Sequence, residues 1–112
     1  MKYAIPVSGG VMSQHFGHCE QFALIDVDEE KRAITKKEAV SSPGHQPGLL
    51  PVWLAEQGAS IIIASGMGSR AQSLFQQNHI KIVVNTLESD PEKAVLSYIS
   101  DTLTTGDNIC DH

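Results

Sequence analysis

The sequence predicts an α/β protein: a single domain with a mixed five-stranded sheet in the order ββ(β)αβαβα, flanked by helices. Short apolar runs bounded by glycine, proline and serine recur along the chain as strands. Amphipathic segments alternate with these runs in the second half. The length of 112 residues and the hydrophobic content of 41% suit one globular domain over residues 1–112.

The first half of the chain predicts a meander of strands. Lys2 to Val7 is apolar and ends at the breaker Ser8-Gly9-Gly10. Phe22 to Asp28 predicts a second strand, and Ala33 to Val40 predicts an exposed edge strand whose lysines discourage further pairing. The prolines and glycines of Ser41 to Gly48 favour a loop over one sheet edge.

The second half predicts helices alternating with strands. The predicted elements are a helix over Leu49 to Gln57, a strand over Ser60 to Ala64, a helix over Ser69 to Asn78, a strand over Ile80 to Val84, and a last helix capped by Asp90 that buries Ala94, Val95, Tyr98 and Ile99. The continuously apolar Ser60 to Ala64 is expected to be central, in a parallel crossover unit. His79 is expected to terminate its helix, and residues 103–112 are expected to form a flexible tail.

Composition excludes several classes of function. Eight basic and thirteen acidic residues give a net charge of -5, so a nucleic-acid partner is not expected. The first apolar run stops at Ser8, too early for a signal peptide or a membrane span, which predicts a cytoplasmic protein with no membrane partner. In that compartment the two cysteines are expected as free thiols or metal ligands.

Two imidazoles and a thiol lie within five residues on the loop before the second strand, at His15, His18 and Cys19. These donors suit iron-sulfur clusters, copper or zinc, and the fourth ligand of a closed site would come from His45, Cys110 or His112. Other interpretations stay open: His15 as a turn residue, His18 as an exposed loop residue, Cys19 as a small buried hydrophobe, and the Cys110 to His112 end as disordered.

The segment Gly66-Met67-Gly68-Ser69-Arg70-Ala71 satisfies the pattern G-x-G-x-x-A between a strand and a helix. A dinucleotide site is disfavoured, because the turn follows the fourth strand and no first βαβ unit precedes it. The free N–H groups at this helix start would hold any anion, including an anionic metal cluster, and Arg70 would add positive charge.

Four motifs occur together in one order along the chain: His15-Phe16-Gly17, His45-Gln46-Pro47-Gly48-Leu49-Leu50-Pro51, Gly66-Met67-Gly68-Ser69-Arg70-Ala71 and Asn108-Ile109-Cys110-Asp111-His112. In this combination the chain resembles the dinitrogenase iron-molybdenum cofactor biosynthesis family. That family includes NifX-type cofactor carriers, the cofactor-binding part of NafY, the C-terminal segment of NifB and the molybdenum-copper orange protein. The resemblance implies a ribonuclease H-like motif without nuclease chemistry, and a cluster held by His15.

The resulting prediction is a non-enzymatic carrier of a metal-sulfur cluster, iron-molybdenum cofactor-like or another molybdenum, iron or copper cluster, or of a thiophilic metal. The predicted cleft lies between three segments: the loop with His15, Phe16 and Gly17; the loop with His45; and the helix start at Gly66, Met67, Gly68, Ser69 and Arg70. The expected partners are cluster biosynthesis or acceptor proteins, with the chain a monomer or weak homo-oligomer. The alternatives are an enzyme using Cys19 with His15 or His18, and an interaction module without a ligand.

Overall fold

The computed structural model describes residues 1–13, 19–44, 48–84 and 86–100. Its elements in chain order are β1 (Lys2–Ser8), β2 (Val11–Met12), β3 (Gln21–Asp28), β4 (Ala33–Ser41), α1 (Leu49–Glu56), β5 (Ile61–Ile63), α2 (Ser69–Gln77), β6 (Lys81–Val83) and α3 (Pro91–Ile99). The predicted elements are confirmed to within one or two residues at each end.

The sheet is mixed, with the strand order β4-β3-β1-β5-β6 and with β2 paired to β1. Strand β3 runs antiparallel to both β1 and β4, whereas β5 runs parallel to β1 and β6 runs parallel to β5. The predicted α/β class with a mixed sheet is therefore confirmed. Strand β5 is fully buried between two neighbours, and β4 is the exposed edge strand.

Strand β2 was not predicted, because the Ser8-Gly9-Gly10 run was interpreted only as the end of β1. Gly9 and Gly10 have φ values of 63° and 84°, the left-handed conformation that a two-residue hairpin turn requires. Ser8 accordingly pairs with Val11, and Val7 with Met12. The glycines thus fold the chain back on β1 before the histidine-containing loop begins.

Helices cover both faces of the sheet. Helices α1 and α2 pack on one face, in a core that includes Phe22, Leu54 and Phe75. Helix α3 packs on the other face through Ala94 and Val95, against the β1 side chains that alternate with those of the first face. Within the described ranges, no helix has the length and apolarity needed to cross a membrane.

Two helix ends follow their sequence signals. The Asp90 carboxylate accepts hydrogen bonds from Glu92 N at 2.9 Å and Lys93 N at 3.3 Å, and Pro91 occupies the first helical position of α3. His79 follows the α2 cap residue Asn78, has a φ of 61°, and donates its backbone N–H to Gln76 O at 3.1 Å. The expected role of His79 as a helix terminator is thereby confirmed.

Candidate functional site

The parallel strands β1, β5 and β6 end at the same edge of the sheet, termed here the carboxyl edge. Because β3 is antiparallel to β1, Gln21 at its start pairs with Val7 at this edge, and Ser41 at the end of β4 pairs with Gln21. Every loop that the sequence singled out for chemistry therefore begins or ends at the carboxyl edge. The opposite side of the sheet is the amino edge.

The loop that contains the predicted histidines is fastened to the end of β1 on both sides. Ser13 N donates to Pro6 O at 2.9 Å, and Glu20 N donates to Val7 O at 3.1 Å and lies 3.2 Å from Ser8 Oγ. The described residues on either side of His15, Phe16, Gly17 and His18 are thus anchored at the carboxyl edge. Those four predicted site residues lie outside the described part of the chain.

The loop before α1 starts beside the first loop. Ser42 N donates to Glu20 O at 3.0 Å, which joins the end of β4 to the start of β3. Gly44 then bonds back to Ser42 Oγ at 3.4 Å, and Gly48, at φ 79°, leads into α1. His45 lies between these two glycines and, like Cys110 and His112, outside the described residues.

Helices α1, α2 and α3 all start at the carboxyl edge, and α1 and α2 start at a glycine. Glycine has no side chain with which to cap the helix, and Gly48 and Gly68 are the N-cap residues of α1 and α2. Neither helix has an acidic residue in its first turn, whereas α3 is capped by Asp90. The partial positive charge of a helix N-terminus favours anions, and no acidic side chain in the first turn of α1 or α2 balances it.

The predicted residues around the start of α2 divide into two groups. Ser69 and Arg70 are exposed and Gly68 is half-buried, so these three border solvent at the edge. Gly66 is buried, and the Met67 side chain, 1% exposed, belongs to the apolar core under α2. Gln72 Nε2 donates to Met67 O at 2.9 Å, which steadies the turn. In this conformation Met67 packs in the core, and Gly68, Ser69 and Arg70 are the residues at the start of α2 that a ligand could reach.

Cys19 lies inside the protein. Its side chain is 2% exposed and packs in the same core as Phe22, Leu50 and Met67. Burial raises the pKa of the thiol to about 11, because the charged thiolate loses its hydration there. The thiol is therefore neutral at pH 7, and the conformation corresponds to the alternative of a small buried hydrophobe. Metal ligation by Cys19 would require a thiophilic metal to displace the proton and the loop to turn the sulfur outward.

The loops after β1, β5 and β6 are joined by a small polar cluster that the sequence analysis did not identify. Ser65 Oγ donates to Thr86 O at 3.1 Å and lies 3.3 Å from Met12 Sδ, and Met12 N donates to Ser89 O at 2.7 Å. Thr86 is 2% exposed, and its Oγ1 has no hydrogen-bond partner within the described part of the protein. A buried hydroxyl without a partner is costly in free energy, so a polar group that reached Thr86 Oγ1 would be stabilising there.

No group of three or more His, Cys, Asp and Glu side chains with metal-site geometry occurs among residues 1–13, 19–44, 48–84 and 86–100. Of the predicted metal ligands, the structure describes Cys19. The predicted set of His15, His18, Cys110 and His112 stays a prediction. The described residues establish that the loop with His15 and His18 and the loop with His45 both begin and end at the carboxyl edge.

Comparison with known proteins identifies relatives of this chain. The family model described as dinitrogenase iron-molybdenum cofactor matches residues 1–101. The protein MJ0580 of Methanocaldococcus jannaschii is 32% identical over 96 residues, which cover 80% of each chain.

Solved structures share the fold. The crystal structure of PH0822 superposes with a TM-score of 0.85 at 26% identity and covers 94% of both chains. The apo form of the orange protein from Desulfovibrio gigas superposes with a TM-score of 0.71 at 22% identity, over 96% of this chain and 93% of its own. The fold is thus shared with both, and the family match over residues 1–101 shows that the chain belongs to the dinitrogenase iron-molybdenum cofactor family.

Proposed function

We propose that this protein binds an anionic metal-sulfur cluster, or a thiophilic metal with its sulfur ligands, at the carboxyl edge and carries it to an acceptor. The observation that carries the proposal is that the described residues flanking His15 and His18, those flanking His45, and the glycine-started N-termini of α1 and α2 all lie at one sheet edge. The family to which the chain belongs is named for such a cofactor.

The histidines of this edge suit the metal atoms of the cargo, and its helix N-termini suit the sulfides. Imidazole nitrogens ligate iron, copper and molybdenum-containing clusters, and we assign this role to His15 and His18. The sulfides of a cluster carry negative charge, and the N–H groups at the starts of α1 and α2 would hold them. Arg70, exposed in the first turn of α2, adds a full positive charge next to the same N–H groups.

The state of Cys19 disfavours the enzyme alternative. A thiol nucleophile needs a lowered pKa and access to substrate, whereas the Cys19 thiol is buried and its pKa is raised to about 11. Binding without turnover is therefore the proposed activity.

Anaerobic reconstitution tests the proposal. The purified protein is incubated with iron, sulfide and molybdate, freed of excess reagents, and examined by elemental analysis and visible absorption. We expect stoichiometric metal and a charge-transfer band for the unmodified protein, and at least a tenfold loss of bound metal for the double variant His15→Ala, His18→Ala.

His79→Ala is the matched control, because His79 is also a histidine on a turn but lies at the amino edge, after α2. It is expected to retain the full metal content. Equal metal content in all three proteins would contradict the assignment of His15 and His18, and absence of metal from the unmodified protein would favour the interaction-module alternative.

A further inference from the structure

Strand β4 forms a free edge of the sheet. It pairs with β3 on one side, and on its other side no strand of the described part of the chain pairs with it. Seven of its nine residues are exposed. The backbone N–H and C=O groups along the free side can therefore pair with a strand of another molecule, and the side chains of β4 decide which strands are accepted.

The hydrogen bonds of β3 identify the residues of β4 whose backbone groups point outward. Val27 N donates to Met1 O at 2.9 Å, and the Met1 ammonium group donates to Val27 O at 3.1 Å, so Val27 faces the β1 side. Because backbone groups alternate sides along a strand, the even-numbered residues of β3 face β4. Their partners on β4 include Lys36 and Glu38. Lys37, between these two, therefore directs its N–H and C=O to the free edge.

The middle of this edge carries three charged side chains, which alternate between the two faces of the sheet. Glu38 pairs with Leu24, which belongs to the core under α1 and α2, and Lys37 pairs with Ile25, which belongs to the core under α3. Lys36 lies on the same face as Glu38, two residues away. Neither Lys36 nor Glu38 has an ion-pair partner among the described residues.

A second copy of β4 supplies partners for both of these charges. Lysine on an edge strand makes pairing with most strands unfavourable, because its charge is left without a partner. When two copies of β4 pair antiparallel about a two-fold axis at Lys37, however, Lys36 of each copy lies directly opposite Glu38 of the other. Opposite charges directly across an antiparallel pair are stabilising, and the symmetry forms this ion pair twice.

The same register brings the two Lys37 side chains close together on the α3 face, where carboxylates outnumber them. Lys37 Nζ donates to Glu92 Oε1, and the charges of Glu92 and Asp90 raise the pKa of Lys37. These three residues line a groove of about 410 Å³ between β4 and the first turn of α3. Each copy therefore contributes two carboxylates and one ammonium group, and the groove retains negative charge for the lysine of the second copy.

Neighbouring registers lack this charge match. A two-fold axis at Lys36 would place the two Lys36 side chains opposite each other, and an axis at Glu38 would do the same with two carboxylates. Like charges directly opposite are destabilising. An axis at Ala39 would place Glu38 opposite Val40, with no partner for its charge. The charges of β4 thus favour one register over its neighbours.

We propose that this protein forms a two-fold homodimer in which β4 pairs antiparallel with β4 of a second copy, with Lys36 of each copy opposite Glu38 of the other. The two sheets join into one across this interface. Because the paired strands run in opposite directions, the carboxyl edges of the two copies face opposite ways, and the interface does not cover either candidate site. The association requires no cargo.

The contact between the copies is short. The β3–β4 register shifts between Asp26 and Val27, which leaves Thr35 as a bulged residue of β4. Regular pairing between copies therefore extends only a few residues on each side of Lys37. A contact of this size gives a weak dimer that dissociates on dilution.

Charge reversal in the full chain tests the dimer and its register. Sedimentation velocity is recorded without metal, under reducing conditions, over a series of protein concentrations. We expect Lys36→Glu and Glu38→Lys each to raise the dissociation constant by about tenfold, because both ion pairs become like-charge pairs. The combined variant, in which the two charges are exchanged, is expected to restore dimerisation.

Lys31→Glu and Glu30→Lys are the matched controls, because they make the same charge changes at exposed residues of the β3–β4 turn, outside the proposed contact. Both are expected to dimerise like the unmodified protein. A monomer throughout the concentration series would overturn the proposal. So would a dimer that the single reversals leave unchanged, or a combined variant that associates no better than the single variants.

Amide hydrogen exchange of the ¹⁵N-labelled protein locates the contact. The Lys37 N–H is expected to exchange about fivefold more slowly in the concentrated than in the dilute sample, and the Glu30 N–H equally fast in both. Concentration-dependent protection confined to another surface would overturn the β4 interface. Because no measurement uses metal, a monomer with intact metal uptake removes only the dimer, and a dimer without metal uptake removes only the carrier function.

Discussion

The two edges of the sheet are built on different principles. At the amino edge the turns are short and satisfy their own polar groups: Asp28 Oδ1 accepts from Glu30 N at 3.0 Å and Lys31 N at 3.2 Å, and Lys2 Nζ donates to Gln57 O at 3.0 Å. At the carboxyl edge the loops are longer, two helices begin at glycine, and Thr86 Oγ1 has no partner among the described residues.

This difference between the two edges indicates that the carboxyl edge has more polar groups available to a ligand. Groups that are already paired contribute stability and have little left to offer a ligand, whereas a helix start without a side-chain cap and a buried hydroxyl without a partner gain free energy when a ligand binds them. Substitutions at the amino edge are therefore expected to change stability and leave binding unchanged. Substitutions at the carboxyl edge are expected to change binding with smaller effects on stability.

The largest effect on stability is expected from Tyr3→Ala. Tyr3 is 3% exposed and meets Tyr98 edge-to-face, so its removal leaves a cavity near the amino edge. We expect a loss of about 3 kcal/mol in urea unfolding. Tyr3→Phe, which keeps the ring contact, is expected to lose about 1 kcal/mol or less, and metal uptake should be unchanged in both. A comparable loss in the two variants would show that the ring contact is not what stabilises this edge.

Cys19 is expected to make the folded state less stable as the pH rises into the alkaline range. Its pKa is raised from 9.0 to about 11, so the folded state favours the neutral thiol. The contribution of the buried neutral thiol to the free energy of unfolding is complete below pH 9, declines as the pH rises past 9, and is lost above about pH 11. A shift of this size corresponds to about 2–3 kcal/mol.

The measurement is urea unfolding from pH 8 to pH 11 for the unmodified protein and for Cys19→Ala, which lacks the titrating group. The difference in unfolding free energy between the two proteins should shrink with rising pH. A difference that stays constant would mean that the thiol is hydrated in the folded state.

Gly68→Asp separates binding from stability at the start of α2. Gly68 has φ −66° and ψ 156°, values that any L-residue adopts, and an Asp carboxylate at the N-cap would bond the N–H groups that we assign to the cargo. We expect stability to rise by a few tenths of a kcal/mol and cluster affinity to fall by about tenfold. Gly68→Ser caps without charge and should weaken binding less. A variant that binds the cluster with unchanged affinity would remove α2 from the site.

The smallest effect is expected at the end of α2. His79 occupies the left-handed region at φ 61°, where glycine has no steric penalty. His79→Gly should therefore stabilise the protein by about 0.5–1 kcal/mol in thermal unfolding, with metal uptake unchanged. Lower stability would mean that the imidazole makes a contact that outweighs the backbone strain.

The elements with strong local signals could be predicted from the sequence. The isoleucine run of β5, the Asp90-Pro91 start of α3 and the stop after Asn78 each depend on residues within a few positions of one another. Strand β2 could not be predicted because a two-residue strand is too short to show an alternation of apolar and polar residues. The Gly9-Gly10 pair is also equally typical of a strand end and of a hairpin turn.

The site was predictable only in part, because its pieces come together through the register of the sheet. Met12 and Ser65 are 53 positions apart and meet only because β1 and β5 run parallel. Cys19 shows the same limit in another form. A cysteine beside two histidines suggests a ligand, and only its position in the core that includes Phe22 and Leu50 shows that its thiol is buried.

The central claim is that cargo binds at the carboxyl edge and leaves the amino edge untouched. Amide chemical shifts of the ¹⁵N-labelled protein, recorded before and after anaerobic loading with iron, sulfide and molybdate, test it most directly. The account predicts large shifts or broadening at Ser13, Gly68 and Ser69, and unchanged signals at Glu30, Gly58 and His79. Shifts concentrated at the latter three residues, or spread equally over both edges, would contradict it.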